Sequence, residues 1–130
     1  MSSLRRPIEG DVLVHHLKGS DQMIDQSLVT RHGRSARTLV KDGPLRLTVM
    51  ALAAGGSLPP HQADGPVSIH LLEGDAVFDV AGREYQLVPG DVLVLEAGVR
   101  HGARSTQGCV LLLTVVHLRS PGTPVDAMRE

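Results

Sequence analysis

The chain is 130 residues long and carries 13 Lys and Arg against 14 Asp and Glu, a formal charge of −1, with one Phe, one Tyr, one Cys and no Trp. That length makes one domain, able to bury roughly two thirds of the surface its extended form exposes. The missing basic excess excludes a general nucleic-acid binder, the scarcity of rings excludes a single-strand binder that stacks bases, and no apolar run approaches the ~20 residues that cross a bilayer.

In chain order, residues 1–35 read as an irregular, polar extension that packs on the rest of the domain or on a neighbouring copy. Its first seven residues include Arg5 and Arg6 but no apolar block behind them, so they do not read as a secretory leader. Val12 and Val14 bracket a first strand. Residues 21–28 are predicted to form a short helix, capped by Ser20 or Asp21 and burying Met23, Ile24 and Leu28.

From Ala36 the pattern turns to β. Leu45, Leu47, Val49, Ala51 and Ala53 share one parity, while Arg46, Thr48 and Met50 share the other. Gly55 and Gly56 end that run, and Pro59-Pro60 removes two backbone donors and excludes helix. Val67, Ile69 and Leu71 alternate with Ser68, His70 and Leu72. Gly74-Asp75 then reads as a hairpin turn into Ala76, Phe78 and Val80. Ala81-Gly82 supplies the next turn, residues 83–88 a further strand ended by Pro89-Gly90, and Val92 and Val94 alternate with Leu93 and Leu95. Residues 109–118 are apolar on both parities and need cover on both faces, from the core on one side and a partner or terminal segment on the other. Cys109, unable to form an internal disulfide, reads as a buried, inert thiol, which fits a cytoplasmic setting. Short strands recurring about every eight to twelve residues between Gly and Pro point to an all-β sandwich or jelly roll. Residues 119–130, with Pro121, Gly122 and Pro124, read as a C-terminal tail.

Two single histidines stand at matched ends of this string of strands. His61 follows the Gly56-Ser57-Leu58-Pro59-Pro60 loop, and His101 closes a segment that begins at Gly90. This layout resembles the cupin superfamily. Its first motif, in the usual form, is a glycine, a His-x-His pair, a glutamate and a glycine turn. Gly56, His61 and Gly74 match, whereas Ala63 stands at the second histidine and Val67 at the glutamate. Its second motif is a glycine, five residues, Pro-x-Gly, two residues, a histidine, three residues and an asparagine. Gly90, Gly98 and His101 match, while Glu96 replaces the proline and Ser105 the asparagine. The resemblance covers residues 39–118 and is similar to that of small single-domain bacterial cupins with a degenerate first motif. It implies a cupin-type jelly-roll β-barrel (double-stranded β-helix) over residues 36–118, between the extension and the tail.

The resemblance also implies a divalent transition metal (Zn, Fe, Mn or Ni) between the motifs. Only His61 and His101 carry over as ligands, and such a metal usually takes three or four side chains, so the ion is expected to be weakly bound. His70 is the obvious third candidate, but alternation turns it away from the face of Val67, Ile69 and Leu71. Gln62, Asp64, His15 and His16 are further candidates. The expected pocket is the barrel mouth, with His61 and His101 among Val67, Ile69 and Leu71, and with Arg46 and Tyr85 as polar handles. Arg100 and Arg104 flank His101 and default to solvated roles, and no Ser-His-Asp constellation is present. The first functional expectation is a binding module that holds a small organic molecule, as a homodimer formed through its two-sided apolar strands. The alternative is a metal-dependent cupin enzyme of oxygenase or isomerase type, using His61, His101 and one further ligand.

Overall fold

The computed structural model describes residues 8, 10–17 and 24–118. Its elements are α1 (Gln26–His32), β1 (Arg34–Asp42), β2 (Leu45–Leu52), β3 (Ser57–His61), β4 (Val67–Gly74), β5 (Ala76–Val80), β6 (Arg83–Leu87), β7 (Val92–Leu95), β8 (His101–Arg104) and β9 (Cys109–Val116). The strands form two antiparallel sheets, ordered β1-β2-β9-β4-β7 and β3-β8-β5-β6. This is a jelly-roll sandwich, the all-β architecture expected from the strand spacing.

Period-two alternation places the core. Val67, Ile69 and Leu71 of β4 pair with Val115, Leu113 and Leu111 of β9. From the second sheet, Ala76, Phe78, Val80, Leu87 and Ala103 complete one buried cluster with them. The outer face of the first sheet is apolar as well, since Leu45, Leu47 and Val49 of β2 pair with Val116, Thr114 and Leu112. Ile8, Leu17 and Ile24 from the N-terminal segment pack over part of that face, beside Leu39 and Val40. The two-sided apolarity of β9 is thus met by the core on one face and a terminal segment on the other. Farther along the same face, Val92 and Val94 of β7 remain exposed. Cys109 is buried, and burial raises its thiol pKa, which leaves little thiolate to react.

Three local readings are corrected. The helix begins at Gln26, and Asp25 caps it by accepting from the backbone N–H groups of Ser27 and Leu28 at 3.0 and 3.2 Å. Ser20, Asp21 and Met23 lie outside the described residues. Val12 and Val14 are exposed and belong to no strand, because no described neighbour pairs with them. Gly74-Asp75 is not a hairpin turn but a crossing between sheets, since β4 and β5 belong to different ones.

That crossing has its own chemistry. Gly74 has φ +85°, and a Cβ there would meet the Gly108 carbonyl at 2.0 Å. The Asp75 carboxylate accepts from Thr106 N, Gln107 N and Ser105 Oγ at 3.0, 2.8 and 3.2 Å. Those backbone N–H groups, Thr106 first, hold the Asp75 carboxyl below its ordinary value. Ser105 Oγ in turn accepts from Gly108 N at 2.9 Å.

At the opposite end, the β3–β4 loop presses on β9. A Cβ on Gly65 would lie 1.6 Å from the Val116 carbonyl oxygen. The backbones there cannot separate without breaking the bond from Val116 N to the Pro66 carbonyl, 3.2 Å long. Gly65→Ala is therefore expected to destabilise the fold by about 3 kcal/mol or more, read by chemical denaturation. A loss under about 1 kcal/mol would show that the loop can shift freely.

Candidate functional site at the barrel mouth

In the second sheet, β3 ends at His61, β8 begins at His101, β5 ends at Val80 and β6 begins at Arg83. Register makes these four one row: His61 opposite His101, His101 opposite Val80, Val80 opposite Arg83. Directly opposed antiparallel residues project to the same face, and Val80 belongs to the core cluster. The row therefore lines the inner rim of the sandwich. In the facing sheet the matching row is Arg46, Val115, Val67 and Leu95. Loops fasten this end together: Gly98 N donates to the Ala63 carbonyl at 2.8 Å, His117 N to the Pro44 carbonyl at 2.7 Å, and His117 Nδ1–H to the Asp64 carboxylate.

The two imidazoles meet. Their ring centroids are 4.4 Å apart and the planes are tilted by 54°. His101 is 2% exposed, whereas His61 faces solvent. His101 Nδ1–H donates to the Val99 carbonyl at 3.1 Å, because a carbonyl can only accept. That bond fixes the tautomer and leaves Nε2 with a bare lone pair. Burial lowers the His101 pKa, the Val99 carbonyl opposes this, and the neighbouring His61 adds to it. His101 is thus a neutral acceptor at pH 7.

The other candidates fall around this pair as follows. Val67, Ile69 and Leu71 are 3%, 0% and 0% exposed and sit on the inner face. His70 lies on the outer face, opposite Val92 and Leu112. Tyr85 pairs with Phe78 on the inner face and packs on the core. Arg46 donates from one guanidinium nitrogen to the carbonyls of Gly43 and Leu45, at 2.6 and 3.0 Å, in its own hairpin turn. His15 and His16 are exposed on the N-terminal segment. Arg104 lies on the outer face, where it bridges Asp79 at 3.2 Å and Glu84 at 2.9 Å. Sequence reasoning missed Arg83. The signal was there: a two-residue turn at Ala81-Gly82 makes Val80 and Arg83 direct partners.

The donor set does not fit a firmly held metal. The Ala63 and Val67 side chains have no lone pair to offer, and among the described residues no group of three or more His, Cys, Asp or Glu is placed to hold an ion. A buried, neutral imidazole beside an exposed one is a hydrogen-bonding platform first. A recess of about 270 Å³ touches His101 from the rim, beside Pro60, Asp79, Gly82 and Arg100. A larger one, about 550 Å³, lies between α1 and the first two strands and shares no lining residue with the imidazole pair. Among the described residues no helix is long and apolar enough to cross a membrane.

A sequence profile of the family described as Cupin domain matches residues 31–116. Among solved structures, a conserved protein of unknown function from Streptococcus pyogenes is similar at 23% identity and TM-score 0.64, covering 92% of this chain and 98% of its own. A Cupin 2 conserved barrel domain protein from Leptotrichia buccalis is 29% identical with TM-score 0.62, over 66% of this chain and 42% of its own. A point mutant of the salicylate 1,2-dioxygenase from Pseudoaminobacter salicylatoxidans has TM-score 0.70 at 17% identity, over 78% of this chain and 34% of its own. Likeness at 23% or 17% identity shows the shared fold alone. No curated protein matches.

The His101 environment sets a pH dependence. Its folded pKa lies below the ordinary histidine value of 6.5, so the folded state binds fewer protons than the unfolded chain as pH falls. The stability it contributes is whole above 6.5 and is lost as pH drops from there through the lowered folded value. The melting temperature should decline over that interval, and the decline should flatten in His101→Phe. An NMR titration of the His101 ring with a midpoint at or above 6.5 would contradict the assignment.

Proposed function

This chain belongs to the cupin family, and from that premise we propose that it is a binding protein whose barrel mouth holds a small organic molecule oriented by His61 and His101. The observation that carries this reading is the asymmetry of the imidazole pair. One ring is buried and neutral, with its Nε2 unpartnered by backbone, and the other faces solvent 4.4 Å away. Such a pair accepts from a ligand hydroxyl or amine at the buried ring and adapts at the exposed one, while Val67 and the neighbouring core supply an apolar wall.

The alternative, a metal-dependent oxygenase or isomerase, requires a further donor beside the two histidines. Ala63 and Val67 occupy the positions from which the usual motif would supply it. Both readings meet in one experiment. Protein purified without chelator is expected to carry clearly less than one transition-metal ion per chain by elemental analysis. In the same preparation, a thermal-shift screen of small metabolite-like acids, alcohols and amines is expected to yield a stabilising ligand whose effect disappears in His61→Ala and His101→Ala. One ion per chain, lost in both variants, would favour the enzyme. Ligands that stabilise both variants as well as the native chain would remove the imidazoles from the site.

A further inference from the structure

Charge is divided between the two faces of the second sheet. On its outer face Arg104 bridges Asp79 and Glu84, so both carboxylates of that row are already paired. On its inner rim Arg83 stands in the row of His61, His101 and Val80, with no carboxylate partner among the described residues. Its guanidinium carbon instead sits 5.6 Å from the centroid of the Tyr85 ring. Tyr85 is two residues along the same strand, on the same face, and its ring is packed against the core.

We propose that Arg83 is the anion-recognising residue of the barrel mouth and that the ligand class is a small organic carboxylate with an apolar body. This deepens the binding reading and rests on it. The geometry is that of a two-point site. Arg83 lies two strands from His101, about 10 Å at the spacing of neighbouring strands. A guanidinium at one end grips a carboxylate by two parallel N–H donations. The bare Nε2 of His101 accepts from a hydroxyl or amine at the other end. Between them the row offers the edge of Val80, and half-buried Tyr85 stands in the next row, so the span between the polar ends is apolar. The cation–π contact with Tyr85, 5.6 Å from guanidinium carbon to ring centroid, restrains the arginine at the rim and lowers the entropy lost when its N–H donors engage a ligand. A neutral or cationic ligand would leave that charge uncompensated.

The test uses small aliphatic and aromatic monocarboxylates, each paired with its primary amide, titrated into the full chain while imidazole and Arg Nε–H resonances are followed by NMR. The acids are expected to bind about ten-fold tighter than their amides, shifting the His61, His101 and Arg83 signals together. Arg83→Gln should erase that preference, Arg83→Lys should restore part of it, and Arg104→Gln, on the outer face, should leave it intact. Acids and amides binding equally at the imidazoles would overturn the assignment of Arg83 while leaving the binding reading standing. Failure of every compound to perturb either imidazole would overturn both. Arg83 is exposed, so its variants should melt within a few degrees of the native chain, and retained acid selectivity in folded Arg83→Gln would also refute the proposal.

Discussion

The ladder between β4 and β9 is the constraint on which the rest of the molecule depends. Val67, Ile69 and Leu71 oppose Val115, Leu113 and Leu111 without a break in register. Burying a side chain of this kind contributes about 1.5–3 kcal/mol each, and a slip of one residue would turn the whole set outward. With the ladder in place, every other parity follows. His70 and Ser68 must face out, the second sheet must offer Phe78 and Val80 to the same interior, and the row that contains Val80 must carry its histidines and Arg83 to the inner rim.

Electrostatics then separates the two surfaces of the second sheet. Its acidic residues point outward, where water and Arg104 satisfy them. Among the described residues, the inner rim of this sheet carries a buried imidazole kept uncharged by desolvation, an exposed imidazole, a tyrosine and an arginine. On the proposed reading, a ligand at this rim would meet acceptor nitrogen at one side, positive charge at the other and hydrocarbon between.

Much of this is readable from the chain itself, and for a clear reason. Alternation of apolar with other residues reports strand faces directly, so β4 and β5 and the inner placement of Val67, Ile69 and Leu71 can be read off residue by residue, whereas β9, apolar on both parities, shows as a strand without showing its faces. The glycines at 90 and 98 with His101 mark the second motif by spacing. What escapes is anything decided by pairing between distant segments. Gly74-Asp75 looks like a hairpin turn because its local chemistry is that of a turn, yet Ser105 to Gly108, some thirty residues on, bind it and send the chain to the other sheet. The start of the helix is misread because several residues near it resemble caps, and the hydrogen bonds to Asp25 choose among them. Arg83 is overlooked because its meaning lies in the row it joins across the second sheet, and not in its neighbours along the chain.

The Asp75 cradle has a consequence for how such a protein changes over generations. It fastens the end of the sandwich remote from the imidazoles, through backbone donors that no side-chain replacement at the rim can disturb. Scaffold integrity and chemistry are thereby lodged at opposite poles. Substitutions at exposed rim positions such as 61 or 83 carry little penalty in foldedness. A lineage built this way can shed one set of contacts and acquire another while remaining the same object, which makes the mouth a place of evolvability and the far pole its ballast.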